Sequence, residues 1–401
     1  MGAEPNEENL SERAAELIGR ARELTALLDR AGDRIEEARG LPPDVLDALH
    51  EARLFRLLIP RSLQGEEVDP VTLFEVVEAL AEGDASAAWC VNQGCGVSIA
   101  AAYLKPEVAR TVFGDARAVA ASGPNSPRSS ALAAEGGYRV SGEWSFASGS
   151  KHSAWLLGHS RLCGADGKPL LGPDGKMLDT VSMVFPKSEA TVTDVWEVLG
   201  LNGTASDNYS VTDLFVAKEF SFTRDSDEDR REWGPLYNFS IYNLFGLGFA
   251  AVAHGIARKM LREFVALAPK KTPFGATERL AENNVIQSQV GLSDLRLKSS
   301  RAYMLDLFRT QYLAATRGER QTPAMRVAQR AATTFAMHQA REVANFVHHA
   351  AGTTAIFKSG PFERRFRDLQ TLTQQGQSAF SNFETYGQML MADSTPALNR
   401  G

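Results

Sequence analysis

Histidine, cysteine and a dominant charge are what this chain of 401 residues has least of, and each shortage excludes something. Its seven histidines, none between His50 and His152 and none beyond His349, give no dense metal shell, so no metal site is expected. Cys90, Cys95 and Cys163 are too few and too widely spaced for a disulfide scaffold or a thiolate site, and read as small buried side chains. Forty-nine acids against 43 bases leave a formal charge of -6, which favours solubility and offers no field to nucleic acid. No uninterrupted apolar run approaches the roughly 20 residues that span a bilayer. An acidic, polar segment follows Met1 where a secretory signal would be basic, so the expectation is a cytoplasmic protein with no membrane partner. The glycine-rich turns of a P-loop or dinucleotide fold are missing as well. Asp84-Ala85-Ser86 reads as a helix cap and not as part of a hydrolytic triad.

What is present has a clear order. Leu10, Ala14, Leu17, Ala21, Leu24, Leu28, Ala31 and Ile35 recur at three- and four-residue steps, the stripe of an amphipathic helix that Gly40-Leu41-Pro42-Pro43 ends. Further helices follow through Leu104. From about Ala116 the period shortens, and β-branched and aromatic segments at 118–122, 138–144, 155–159, 181–186, 192–198 and 211–217 alternate with turn formers. Gly164-Ala165-Asp166-Gly167 and Gly172-Pro173-Asp174-Gly175 are two such turns. Beyond Arg231 long helices return over 241–267, 280–314, 322–350 and 362–391. Small residues at Ala250-Ala251-Val252-Ala253-His254-Gly255 would let one helix approach another closely. The expected architecture is α+β: an N-terminal helical domain over 1–114, a central β-barrel domain over 115–222, and a C-terminal four-helix bundle over 223–401.

One stretch is more specific. Gly136-Gly137-Tyr138-Arg139-Val140-Ser141-Gly142-Glu143-Trp144-Ser145-Phe146-Ala147-Ser148-Gly149, with Ala154-Trp155-Leu156-Leu157-Gly158 after it, resembles the flavin-facing strand and loop of the acyl-CoA dehydrogenase superfamily. It is most similar to the oxygenase components of two-component (group D) flavin-dependent monooxygenases. Gly200-Leu201-Asn202-Gly203-Thr204-Ala205-Ser206 and Pro361-Phe362-Glu363-Arg364-Arg365-Phe366-Arg367-Asp368 resemble two more of its motifs, in the family's order.

The resemblance implies FAD or FMN, delivered reduced by a separate NAD(P)H-dependent reductase, together with O2, a small-molecule substrate and a homotetramer. It matches Ser148 to a hydroxyl near flavin N5 and Phe146 to an aromatic beside the ring. Trp144 alternates with both in an extended pattern, which adds it to the cofactor wall. Asn125 and Ser126 could bond the pyrimidine edge, the substrate or only a turn. Arg258, Gln287 and Arg296 are candidates for the cofactor's phosphate and ribose across the tetramer.

The family's two branches differ in chemistry. The dehydrogenases place a carboxylate base after the Arg-Asp signature, where this chain has Thr373-Gln374-Gln375-Gly376-Gln377, or on an earlier helix near 244–255, which holds no Asp or Glu. Glutamine cannot act as that base. The oxygenases transfer oxygen to an aromatic or heteroaromatic molecule through a C4a-hydroperoxyflavin, and many use histidines where this chain offers Gln375 and, on the Trp89 helix, Cys95 or Ser98. Trp89, Cys95, Ser98 and Gln375 are therefore the expected substrate-side residues. The missing imidazoles leave three options: an electron-rich substrate such as an indole, amine or thioether; a base elsewhere, with His152 nearest along the chain; or lost hydroxylase chemistry. An acyl-thioester dehydrogenase and a noncatalytic binding protein retaining the fold stand as alternatives.

Overall fold

The computed structural model describes residues 7–164, 166–171 and 180–391, so the second expected glycine turn, at 172–175, lies outside the described residues. Five helices come first: α1 (Glu7–Ala38), α2 (Pro43–Glu51), α3 (Pro70–Gly83), α4 (Ala85–Ser98) and α5 (Pro106–Phe113). Their starts are chemically marked. Asp69 accepts from the Val71 and Thr72 amides at the head of α3, and Asp84 accepts from Ala87 N at 2.9 Å at the head of α4.

The strands are β1 (Ala120–Ser122), β2 (Ser130–Ala134), β3 (Gly137–Ala147), β4 (Trp155–Cys163), β5 (Val181–Pro186), β6 (Thr191–Thr193), β7 (Asp207–Ala217) and β8 (Ser221–Thr223). They form one mixed sheet in the order β6-β7-β3-β2-β4-β5-β8, with β1 pairing in parallel with β4. Among the described residues the strands do not close into the expected barrel. β6 and β8 end the path without meeting, and β6 is exposed along its length, so the sheet stays open. Closure needs a strand tilt and a register stagger that bring first and last strands together. The short edges here cannot provide that.

The helical region that follows also departs from expectation. Three long helices, α6 (Ile241–Leu267), α7 (Asn284–Thr316) and α8 (Pro323–Ala350), are followed by two short ones, α9 (Glu363–Leu372) and α10 (Ser381–Met391), so a four-helix bundle is not formed. Local bonds break the fourth stretch. Gln375 Oε1 accepts from Gln377 N at 2.7 Å and Ser378 Oγ donates to Thr373 O at 2.6 Å, which competes with helical pairing.

One apolar core runs through both helical regions, from Leu17 and Leu28 to Leu369 and Leu372, and a smaller core around Trp144, Met183 and Tyr209 lies in the sheet. α6 is its central member, packed on α3, α4 and α8. It is long and apolar enough to cross a membrane, yet 83% of its most apolar 18-residue window is buried inside the protein, as in a core helix. Gly255 lets it approach α3: a Cβ there would lie 2.4 Å from Glu78 O.

Candidate active site

A cavity of about 610 Å³ opens where α4, the sheet, the start of α6 and the α9–α10 link converge. That size suits a small molecule or a cofactor ring.

The sheet builds one wall through an irregularity. Trp144 pairs with Tyr209 and Ala147 with Asp207, so β3 carries one extra residue there, and Phe146 takes φ +63°. Strict alternation would put residues 144, 146 and 148 on one face, but a bulge changes the face. Trp144 therefore turns into the sheet core, fully buried, stacked on Tyr209 at 5.1 Å, with its Nε1 donating to His159 O. Phe146 turns out, 58% exposed, at the cavity edge against Trp196, with ring centroids 6.1 Å apart. Ser148 follows in the turn and also lines the cavity.

Ser148 belongs to a chain of hydrogen bonds whose direction can be worked out. Trp89 Nε1 can only donate, and does so to Ser148 Oγ at 2.9 Å. Thr204 Oγ1 donates to Leu201 O at 2.9 Å, which uses its single proton. With that proton on Leu201 O, Ser206, 2.7 Å from Thr204 Oγ1, donates to it, and Ser148, 2.7 Å from Ser206, donates to Ser206. The proton of Ser148 is thus engaged, and one lone pair remains for a ligand. The position offers an acceptor.

On the opposite side, Trp89 stacks on Phe249 at 4.4 Å, and Phe245 and Tyr242 of α6 continue the apolar wall. Gln375 lines the cavity, but its carboxamide is occupied by the Gln377 amide and by Met337 Sδ at 3.4 Å, so it acts as a turn cap. Thr371 Oγ1, also in the wall, is buried with no hydrogen-bond partner among the described residues.

The Pro361–Asp368 motif holds this margin together. Asp368 Oδ1 accepts from Leu201 N at 2.6 Å, and Arg365 pairs with Asp29 of α1 at 2.6 Å, tying the α9 region to the 200–206 loop and to the first helix. Burial pushes the Asp368 carboxyl up to about 7.

Of the residues expected from sequence, the cavity brings together Trp89, Asn125, Phe146, Ser148 and Gln375. The others stand apart from its lining. Ser126 makes a turn, accepting from Arg128 N and Ser129 Oγ. Cys95 Sγ donates to Leu54 O, and Ser98 Oγ to Cys95 O. His152 is enclosed beside Phe55, at 5.5 Å, with no partner for either ring nitrogen among the described residues; burial pushes its pKa down to about 3. Arg258 pairs with Glu78 at 2.8 Å on a second, polar cavity, Gln287 bonds Ala281 O, and Arg296 bonds Gln339.

The structure adds residues that sequence reasoning did not single out: Thr204, Ser206, His159, Tyr242 and Arg224. Thr204 and Ser206 sit inside a recognised motif, which was the available signal. His159 and Arg224 carried none. His159 bonds Ser182 Oγ through Nδ1 at 2.8 Å, and burial, aided by Arg224, holds its pKa well below the usual range. It is a neutral ring that orients and not a ready base.

This donor set and shape fit an isoalloxazine ring: a protruding aromatic, a hydroxyl with a free lone pair, and a partnerless buried hydroxyl at Thr371.

The chain is similar to several known proteins. Residues 247–377 match the family described as "Acyl-CoA dehydrogenase, C-terminal domain". The chain is 27% identical over 369 residues to the indole-3-acetate monooxygenase of Pseudomonas putida, covering 90% of each chain. It is 27% identical over 367 residues to the flavin-dependent monooxygenase oxygenase subunit HsaA of Rhodococcus jostii, covering 86% of this chain and 91% of that one. Among solved structures, XiaF from Streptomyces sp., in complex with FADH2 and glycerol, superposes with a TM-score of 0.89 at 23% identity, covering 98% of this chain and 99% of that one. TdsC from Paenibacillus sp. A11-2, with FMN and indole, superposes with a TM-score of 0.79 at 20% identity, covering 95% and 98%.

Proposed function

We propose that this chain, which has an acyl-CoA dehydrogenase-like fold and is homologous to the oxygenase components of two-component flavin monooxygenases, is itself such a component. In this reading it takes reduced FAD or FMN from a separate NAD(P)H-dependent reductase and oxygenates an aromatic or heteroaromatic molecule. When bound, reduced flavin supplies the two electrons that split O2, one oxygen atom entering the substrate and the other leaving as water.

The observation that carries the reading is the cavity's lining. It contains no Asp or Glu among the described residues, so no carboxylate base stands ready for the dehydrogenation of an acyl thioester. The remaining features support oxygen chemistry. Ser148, its proton committed to Ser206, offers an acceptor to an N–H at the ring edge, the form N5 takes when the flavin is reduced. Phe146 and Trp196 would cover the ring, Asn125 and Thr371 would meet its polar edge, and Trp89, Phe245 and Phe249 would keep water from the reacting face. With a neutral, poorly basic His159, the favoured substrate is already electron-rich and needs no proton removed before attack.

Cytoplasmic location, the division at 114/115 and 222/223, and a homotetramer whose neighbouring copy supplies the phosphate contacts are parts of the same proposal. Anaerobic titration with reduced FMN and reduced FAD, followed by rapid mixing with O2, tests it. Tight reduced-flavin binding and oxygenation of an added indole are expected. Failure to bind either flavin, or oxygen-independent oxidation of an acyl thioester, would reject it.

A further inference from the structure

Arg224 is the single charged side chain among the described residues that line the cavity. It follows β8, deep in the molecule, where burial lowers its pKa while part of its surface stays accessible, as expected of a cavity wall. Among the described residues its one side-chain hydrogen bond is from Nη2 to Asn125 Oδ1, at 2.7 Å. It forms no ion pair among the described residues.

The next residue, Asp225, favours that charge at a distance but makes no ion pair with it. Asp225 takes φ +57° and turns its carboxylate to the head of α6, where Oδ2 accepts from Ser240 Oγ at 2.8 Å and Oδ1 from Ile241 N at 3.1 Å. Two other buried guanidinium groups each meet several acceptors. Arg365 meets Asp29 and the Gly83 carbonyl, and Arg56 is ringed by the carbonyls of Leu63, Gln64, Phe113 and Asp115. Arg224 keeps a planar fork with unused donors, one edge held by Asn125, beside an otherwise uncharged pocket. A charge partly withdrawn from water is costly, and a carboxylate matched to the fork recovers that cost through two parallel charge-assisted bonds.

We propose that the substrate of this site is an aromatic acid, and that Arg224, positioned by Asn125, binds its carboxylate. The proposal rests on the oxygenase reading and narrows its substrate class. The apolar wall of Trp89, Phe245 and Phe249 would take the ring while the guanidinium fixes the acid group, setting which ring carbon faces the reacting side.

The test uses the protein loaded anaerobically with reduced flavin, so that binding is measured without turnover. Matched acids and amides, indole-3-acetate with indole-3-acetamide and benzoate with benzamide, differ in charge and hardly in shape. For the parent protein at least one acid is expected to bind about tenfold or more tightly than its amide, the scale of a charge-assisted pair. In Arg224→Gln the ratio should fall to near one. Arg224→Lys, which keeps the charge but not the fork, should retain part of it and shows that the loss is not one of folding. Equal binding of acid and amide by the parent protein overturns the proposal. So does an unchanged ratio in Arg224→Gln, or failure of every acid to bind at millimolar concentration. Loss of reduced-flavin binding in Arg224→Gln with the ratio intact would reassign the arginine to the cofactor and overturn it too. If the parent protein fails to bind reduced flavin, a result read before any acid is added, the oxygenase reading falls with it. Oxygenation of neutral aromatics alone would leave that reading standing and remove the acid.

Discussion

Thr204→Val tests the direction of the hydrogen-bond chain without touching Ser148. The substitution keeps the shape and removes one hydroxyl, which bonds Leu201 O at 2.9 Å and Ser206 Oγ at 2.7 Å. Leu201 O is not left bare, because Trp196 Nε1 also donates to it at 2.9 Å. The stability cost should therefore be about 1 kcal/mol, the net worth of a hydrogen bond. It is read as a lower urea midpoint with an unchanged slope at fixed protein concentration. The larger effect falls on selectivity. With Thr204 present, Ser206 donates to it, so Ser148 donates to Ser206 and shows the ligand a lone pair. Without it, Ser206 can reverse and donate to Ser148, whose proton then becomes available to the cavity. Reduced flavin brings an N–H to the ring edge and oxidised flavin brings an acceptor, so the parent protein should prefer the reduced form. A mismatched buried contact costs about 1–3 kcal/mol, roughly five- to 150-fold in affinity. The ratio of oxidised to reduced flavin dissociation constants, measured by anaerobic titration, should narrow by a factor in that range. An unchanged ratio in a folded Thr204→Val protein would refute the polarity argument.

Three further outcomes are expected. His152 has a folded pKa near 3 against about 6.5 when unfolded, so the unfolded chain binds more protons between those values and stability falls as pH drops below about 6.5. His152→Leu should flatten that loss by up to about 1.4 kcal/mol per pH unit, and an unaltered acid-unfolding profile would contradict the burial assigned to the ring. Gly200→Ala places a Cβ 2.4 Å from the Arg367 carbonyl carbon and should destabilise by about 1–3 kcal/mol in urea unfolding; a neutral result would mean the loop moves freely from α9. Gln375→Ala removes the cap on the Gln377 amide in the substrate-side wall, so product formed per reduced flavin should fall while the oxygen reaction persists. Equal loss of both would place Gln375 on the flavin instead.

Sequence by itself determined the α–β–α order and most element positions, because each is a local matter of period and punctuation. The α6 stretch was read at its observed limits, Ile241–Leu267, from its apolar run, and Asp84 was legible as a cap. Weak elements escaped: β2 and β8 are short, and β2 carries no β-branched or aromatic residue. Tertiary structure decided what depends on distant partners. Whether eight strands close is set by the pairing of β6 and β8, which no local pattern encodes, and they remain apart. The fourth long helix was lost to side-chain bonds at Gln375 and Ser378 that compete with the helical ladder. At the site, family motifs led to Phe146 and Ser148, but the bulge in β3 divided Trp144 from them, since one inserted residue reverses the face of a strand. Arg224, His159 and the Ser206–Thr204 link reach the same cavity from separate strands and loops. Their common role depends on burial and mutual distance, and those exist only once the chain is folded.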